Sequence, residues 1–489
     1  MFVDAATVAA GTTLRHDLCV VGAGAAGITI AREFLGSGRD VCLLESGGFE
    51  MEERTSDLYR GEVDGPDVDA GYLTRTRLRV FGGSMMAWGG MCRPMDEIDF
   101  EAKPWLPDYP AWPFTRSALI PHYERAARML AVAPFFSGQA VDQDPFPVRK
   151  SGLVSVPFHF SPPIYPGSEF RGDFEKETNL RVVLHANALE FLPSATGDHI
   201  DRLRVVGGEG REFTVKARTF VLCAGGIETP RILLQSNSVL PAGIGNRHDL
   251  VGRFFMSHFP HSPGRILMID PTPGKLLGRL TEPVIRYLCL DEEVRRRMKL
   301  VSSGIMVHPS LSPGFTGRHP DAMDKVLPFF EGLFLGRAYY LTIPLLAVPE
   351  QVPNRESRIV LGEERDFTGM RRVKLRFRRS PIDTESFRTT LAQIGRTLGR
   401  LDIGRLQSAF STDAAPPLVP DDHHMGATRM HDDPRHGVVN ADCRVHGIDN
   451  LYVSGPSVFP SGGFANPVMT IVAMAMRLAD HLKGAGRAQ

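Results

Sequence analysis

The sequence predicts an α/β protein built on a parallel, doubly wound sheet, and three observations predict it. A short apolar run, Asp17-Leu-Cys-Val-Val21, ends in glycine and leads into Gly22-Ala-Gly24-Ala25-Ala26-Gly27. The next segment, ITIAREFL, carries apolar residues at helical spacing, and a second apolar run, Val41 to Leu44, ends at Glu45. Strand, glycine turn, helix and strand with a terminal acid make a βαβ unit of about 30 residues. Because this unit opens the fold, a parallel sheet is the expected base of the architecture. At 489 residues the chain exceeds one compact core, which predicts two domains or one large domain with a cap.

Composition narrows the function classes. Hydrophobic residues are 43% and charged residues 23%, the balance of a soluble globular protein. Lys plus Arg (56) equals Asp plus Glu (56), so a generally basic nucleic-acid binder is excluded. Six cysteines form no CxxC pair, which predicts a reducing, cytoplasmic location and no disulfide scaffold. The N-terminus has no signal-peptide pattern and no long apolar run follows, so no integral membrane segment is expected.

Further along, residues 51–78 read as polar loop, and Phe81-Gly82-Gly83-Ser84 to Trp88-Gly-Gly90 is a second glycine-dense stretch. Residues 101–170 are rich in proline and aromatics and hold one helix, near Ser117 to Leu130. Alternating runs from Arg181 to Val221 predict a β-meander, with Gly207, Gly208 and Gly210 as a turn. Val221 to Gly226 repeats the strand-then-glycine pattern and opens a helix over Thr229 to Gln235. From 260 to 415 the alternation in SRIVL and RVKLRFR predicts an antiparallel sheet with one solvated face. Helical spacing returns from Asp383 to Gly399, and the apolar segment 327–349 reads as the core of a cap domain. Leu451 to Gly455 is another strand ending in glycine. Asn466 then serves as N-cap and Pro467 as first residue of a helix running to about Leu482.

The glycines have a chemical reading. A phosphate needs close approach to backbone N–H groups, which side chains would block. Gly22 permits the tight turn, Gly24 the approach of a pyrophosphate and Gly27 the packing of helix on strand. The pyrophosphate then meets the positive end of the helix. Glu45, 18 residues past Gly27, is placed to accept hydrogen bonds from a ribose 2′-hydroxyl and to repel a 2′-phosphate, against NADP. The fingerprint alone does not separate NAD from FAD.

The C-terminal constellation does. GAGAAG with Glu45, FGGSMMAWGG (81–90), CAGGIETPRILL (223–234), PNRESRIVL (353–361), and His423 followed 43 residues later by Asn466 resemble the glucose-methanol-choline (GMC) flavoprotein oxidoreductases. The resemblance covers about residues 15 to 482 and implies FAD. It implies a discontinuous, Rossmann-type FAD-binding domain (14–100, 176–260 and 420–489) and a substrate domain on an antiparallel sheet (101–175 and 261–419). Besides Gly22, Gly24, Ala25, Ala26, Gly27 and Glu45, it assigns Gly82, Gly83, Ser84, Ala188, Ala224, Gly225, Gly455, Pro467 and Val468 to the cofactor. It implies catalysis by His423 as general base, taking an alcohol proton while hydride passes to the flavin, with Asn466 orienting the same oxygen.

The crowd of Asp421, Asp422, His423, His424, His431, Asp432, Asp433 and His436 offers a metal reading, but no HExxH or facial-triad spacing supports it, and no metal is expected. His424 is not assigned to catalysis, and His258 reads as structural before functional. Three positions depart from the family. Ala87 stands where some members carry a histidine that tethers the flavin, so FAD is expected to be non-covalent. Gly455 replaces a frequent acidic residue, and Ala427 a threonine or serine. The implied reaction is oxidation of CH–OH to a carbonyl, on a sugar, glycoside or cyclitol if Trp88 stacks on the substrate. Oxidation of an apolar secondary-metabolite alcohol and a flavin-retaining, hydroxynitrile-lyase-like reaction are the alternatives. The electron acceptor is left open between oxygen, a quinone and a cytochrome or other redox partner.

Overall fold

The computed structural model describes residues 1–485 except 66, 138–147, 149, 163, 208–209, 270–283, 308–340 and 411–417. Gly208 and most of the 327–349 segment therefore lie outside the described residues.

The expected βαβ unit is present: Thr13–Val21, helix α1 (Ala25–Glu33) and Val41–Leu44, with the two strands parallel. They belong to an eight-stranded sheet. From one edge its order is Phe2–Asp4, Leu180–Leu184, Val41–Leu44, Thr13–Val21, Glu212–Leu222, Ile200–Val206 and Asn187–Pro193. The 11-residue strand Glu212–Leu222 carries two partners along one side. Its start pairs antiparallel with Ile200–Val206, and its end pairs parallel with Leu451–Val453. Val453, Leu222, Val21, Leu44 and Val183 are register partners in turn, so five parallel strands end at one level. Their inner residues are buried on both faces, as the uninterrupted LCVV and VCLL runs require. The loops leaving that level enclose the crevice where open α/β sheets bind ligands.

Helix α2 (Gly225–Gln235) follows Leu222, beginning four residues before the expected Thr229. Thr229-Pro230 looks like a helix start, but Gly225 (φ 75°) makes the turn and Pro230 sits inside the helix. Helix α3 (Val468–Ala485) packs against α1. The amide of Ile471 donates to Pro467 O at 2.8 Å, so Pro467, rather than Asn466, occupies the cap position. Asn466 lies one residue outside the helix.

A second, seven-stranded antiparallel sheet runs in the order Gly404–Ser408, Gly264–Met268, Leu341–Pro349, Ser303–Val307, Val284–Leu290, Leu153–Phe160 and Met91–Cys92. Its central strands Val284–Leu290 and Ser303–Val307 are buried at every residue, which corrects the expectation of a solvated face. One face meets Phe387, Leu391 and Ile394 of helix Pro381–Arg400, and the other packs Tyr287 and Met306 with Phe464. That helix starts at a capping box formed by Ser380 and Asp383. The predicted alternation belongs instead to Arg358–Arg365 and Arg371–Arg376, which form a three-stranded sheet with Gly61–Asp64. The segment expected as loop, 51–78, thus contains a strand, and also the short helices Glu53–Asp57 and Tyr72–Arg75. Polar residues in that strand misled the reading: Glu62 and Asp64 pair with Lys374 and Arg378 across the sheet. All six cysteines are buried and free. Among the described residues no helix is long and apolar enough to cross a membrane.

Candidate active site

A cavity of about 1560 Å³ opens above the aligned strand ends, larger than the roughly 300–1,000 Å³ that holds one drug-sized ligand. Its floor is glycine. A Cβ on Gly27 would lie 1.8 Å from Gly22 O, and one on Gly83 would lie 2.8 Å from Gly24 Cα. Helix α1 and the 82–84 loop therefore press against the turn only because these positions carry no side chain. Gly22, Gly24, Ala25, Ala26, Glu45, Gly83 and Ser84 line the cavity, as do Ala188, Ala224, Gly225, Gly455, Pro467 and Val468. Gly27 and Gly82 are not on its surface. Gly27 packs behind the turn, and Gly82 donates its N–H to Ala23 O at 2.9 Å with a φ of 107° that favours glycine.

Glu45 is buried, and its carboxylate accepts from Ala23 N at 2.8 Å and Gly47 N at 2.9 Å. Burial raises its pKa, and those backbone bonds and Arg79 oppose the rise. Oε1 also accepts from Ser46 Oγ at 3.4 Å, whereas Oε2 accepts only from Ala23 N and keeps one lone pair for a ligand. With the uncapped N–H groups at the start of α1, this donor and acceptor set fits a dinucleotide carrying a free ribose diol.

Sequence reasoning missed the buried charges beside this end of the cavity. Glu228, on α2, binds Arg77 at 2.7 Å, Arg231 at 3.0 Å and Arg79 at 3.2 Å, and Arg231 also pairs with Asp366. Burial alone would raise the Glu228 pKa, but Arg231, Arg77 and Arg79 bring it down to about 2. Arg79 reaches on to Ser46 Oγ at 2.9 Å. The signal was present as Arg77 and Arg79 just before the glycine loop, yet their shared partner Glu228 lies about 150 residues away in the sequence.

At the other end stand His423 and Asn466, both on the cavity wall. His423 is held by its neighbours on both sides. The Met256 and Met425 backbones bond reciprocally at 3.0 and 2.9 Å, and Asp421 N donates to His258 O at 3.0 Å. Tyr72 and Ser257 hydroxyls both donate to Asp421 O. This clamp brings His258 against His423, with Nδ1 to Nδ1 at 2.9 Å, while His258 Nε2 lies 2.9 Å from Gly463 O.

The proton positions follow from the partners. A carbonyl only accepts, so His258 Nε2 carries hydrogen. Burial, with the neighbouring His423, lowers the His258 pKa to about 3 against the Gly463 bond, so its Nδ1 is a lone pair. His423 Nδ1 must then be the donor. Burial lowers the His423 pKa to about 4, opposed by Asp422, so this ring is also neutral and its lone pair is on Nε2. Among the described residues Nε2 makes no hydrogen bond. Asn466 Oδ1 is buried and also lacks a partner.

His424 packs against Tyr72 and Phe255 at the cavity wall, with Nε2 buried and unpartnered. Trp88 lines the cavity with its indole N–H donating to Ile164 O at 2.9 Å, and Ala87 lines it as a bare methyl. Among the described residues no group of three or more His, Cys, Asp or Glu side chains converges as a metal site.

Residues 353–475 match the family model described as GMC oxidoreductase, a span that contains His423 and Asn466. Over that stretch the chain is similar to the GMC oxidoreductases. The chain is 24% identical to 6'''-hydroxyparomomycin C oxidase of Streptomyces lividus, over 95% of this chain and 92% of that protein. It is 26% identical to the fructose dehydrogenase large subunit of Gluconobacter japonicus, over 65% of this chain and 57% of that subunit. Its fold aligns with the crystal structure of pyridoxine 4-oxidase from Mesorbium loti at a TM-score of 0.60 and 18% identity, covering 96% and 99% of the two chains.

Proposed function

We propose that this protein is an FAD-dependent oxidoreductase that oxidises an alcohol CH–OH group to a carbonyl, with His423 as the general base. The observation that carries the reading is the 2.9 Å contact that commits Nδ1 of His423 to His258 and leaves Nε2 as the ring nitrogen free for a ligand in the cavity that His423 lines. Bound FAD supplies the two-electron acceptor for the substrate C–H bond. The chain's part is to hold the cofactor and manage one proton. The glycine floor and the α1 N-terminus receive the pyrophosphate, and Glu45 receives the ribose. Residues 14–100, 176–260 and 420–489 form the FAD domain in this reading, and 101–175 with 261–419 form the substrate domain. Ala87 offers no nucleophile, so the flavin is held without a covalent bond.

His423 Nε2 accepts the hydroxyl proton, and the resulting imidazolium keeps its Nδ1–H on His258. Asn466 orients the same hydroxyl by donating its side-chain amide N–H to the oxygen, since the one O–H proton goes to His423. The substrate is a polyhydroxylated or sugar-like alcohol. Support comes from the polar His261, Gln407 and Ser408, which line the cavity as Trp88 does, and from the names of the relatives, an oxidase of 6'''-hydroxyparomomycin C and a fructose dehydrogenase. The test is His423→Ala: FAD stays bound, and the rate of anaerobic flavin reduction falls by about two to four decades. An unchanged rate removes His423 from the role of base.

A further inference from the structure

The hydrogen bonds that fix His423 continue deeper into the fold. Gly463, whose carbonyl accepts from His258, donates its own N–H to Glu350 Oε1 at 3.0 Å. Glu350 is fully buried, and it also accepts from Tyr109 OH at 2.6 Å and from Ser302 N at 3.0 Å. Both carboxylate oxygens are thus occupied by donors from three different parts of the chain. Gly463 adopts φ 56°, and a Cβ there would lie 2.6 Å from Asp99 Oδ2. The residue is wedged between Asp99 and Glu350, which leaves its carbonyl one direction.

That direction matters because a pair of imidazoles sharing one proton has two arrangements. In the first, His258 carries hydrogen on Nε2, His423 carries it on Nδ1, and the cavity sees a lone pair. In the second, His258 carries hydrogen on Nδ1, His423 must accept there, and its own hydrogen moves to Nε2, where it faces the cavity. The second arrangement also turns a His258 lone pair toward the Gly463 carbonyl, setting two acceptors against each other. The carbonyl therefore selects the first arrangement.

We propose that Glu350 is a positioning residue for the base: by gripping Gly463 it aims the carbonyl that selects the His258 tautomer, and so leaves the Nε2 lone pair of His423 open to the cavity. The proposal rests on the reading of His423 as the base, but proton placement can be tested without any substrate. Glu350 touches neither substrate nor cofactor in this scheme. Its effect travels through Gly463 and His258.

The experiment uses full-length protein carrying 15N-labelled histidine, with the His423 and His258 resonances assigned by their loss in His423→Asn and His258→Asn. Wild type is expected to show a pyridine-type signal for His423 Nε2 and a pyrrole-type signal for its Nδ1. Glu350→Ala releases Gly463, and the two tautomers of His423 then mix. Glu350→Gln keeps one acceptor oxygen and falls between. The rate constant of flavin reduction drops in step with the fraction of molecules that retain the lone pair, about two- to tenfold, with KM and FAD content unchanged. A folded Glu350→Gln or Glu350→Ala protein with the wild-type tautomer overturns the proposal. So does a chain that folds with neither substitution, since Glu350 would then serve folding alone. If wild type shows the lone pair on Nε2 yet no alcohol reduces the flavin, the proposed function fails while the tautomer relay stands.

Discussion

The pH dependence of alcohol oxidation should be displaced far to the acid side of an ordinary histidine. The base must be neutral to accept a proton, and a histidine with its usual pKa near 6.5 would pass from about three-quarters neutral at pH 7 to about 3% neutral at pH 5. The rate would fall about 25-fold over that interval. In this site burial lowers the His423 pKa to about 4 despite Asp422, so roughly nine-tenths of the rings are still neutral at pH 5. The expected change between pH 7 and pH 5 is therefore less than about 1.3-fold. Stability moves in the same window. The unfolded chain binds protons at both His258 and His423 below about pH 6.5, whereas the folded chain binds them only near pH 3 to 4. The fold accordingly loses stability as the pH falls from 6.5 toward 4. The assay is stopped-flow flavin reduction after a jump from pH 7.5 to each test pH, with circular dichroism confirming an intact fold. A tenfold loss per pH unit below 6.5, with the fold intact, would refute the argument that burial keeps this ring neutral.

Other substitutions test other parts of the site. Gly27→Ala puts a methyl 1.8 Å from Gly22 O, so α1 must shift off the strand turn. The protein is expected to purify without its yellow cofactor, and an absorption spectrum at wild-type FAD stoichiometry would contradict the packing argument. Glu228→Gln leaves Arg77, Arg79 and Arg231 buried around a neutral partner. Removing one charge of such a cluster destabilises by about 3–5 kcal/mol, read as a lower denaturant midpoint with an unchanged slope.

Much of the glycine-floored end of the cavity was legible in the sequence because its determinants are local. Gly22, Gly24, Gly27 and Glu45 fall in one βαβ unit, where strand, turn and helix fix their geometry regardless of the remaining chain. His423 and Asn466 were singled out through the family resemblance that their spacing carries, and both stand on the cavity wall. His258 was not, because it lies 165 residues before His423 and meets it only through the pairing of Met256 with Met425. Glu350 is further from recognition: it acts through a backbone N–H that no side-chain pattern announces. The strand Gly61–Asp64 escaped notice since its charged residues look solvated until Lys374 and Arg378 are set opposite them. Alternation misjudged Val284–Leu290 for the opposite reason, as a helix covers one of its faces and aromatic residues the other.

Alcohol oxidation by this protein is tested by an anaerobic titration of the purified protein with a panel of sugars, other polyols and apolar alcohols, followed in the visible spectrum. A bound flavin, released by acid precipitation, is expected to be bleached by a polyhydroxylated alcohol as the matching carbonyl compound appears. A flavin that no alcohol bleaches while the protein cleaves a cyanohydrin would contradict alcohol oxidation.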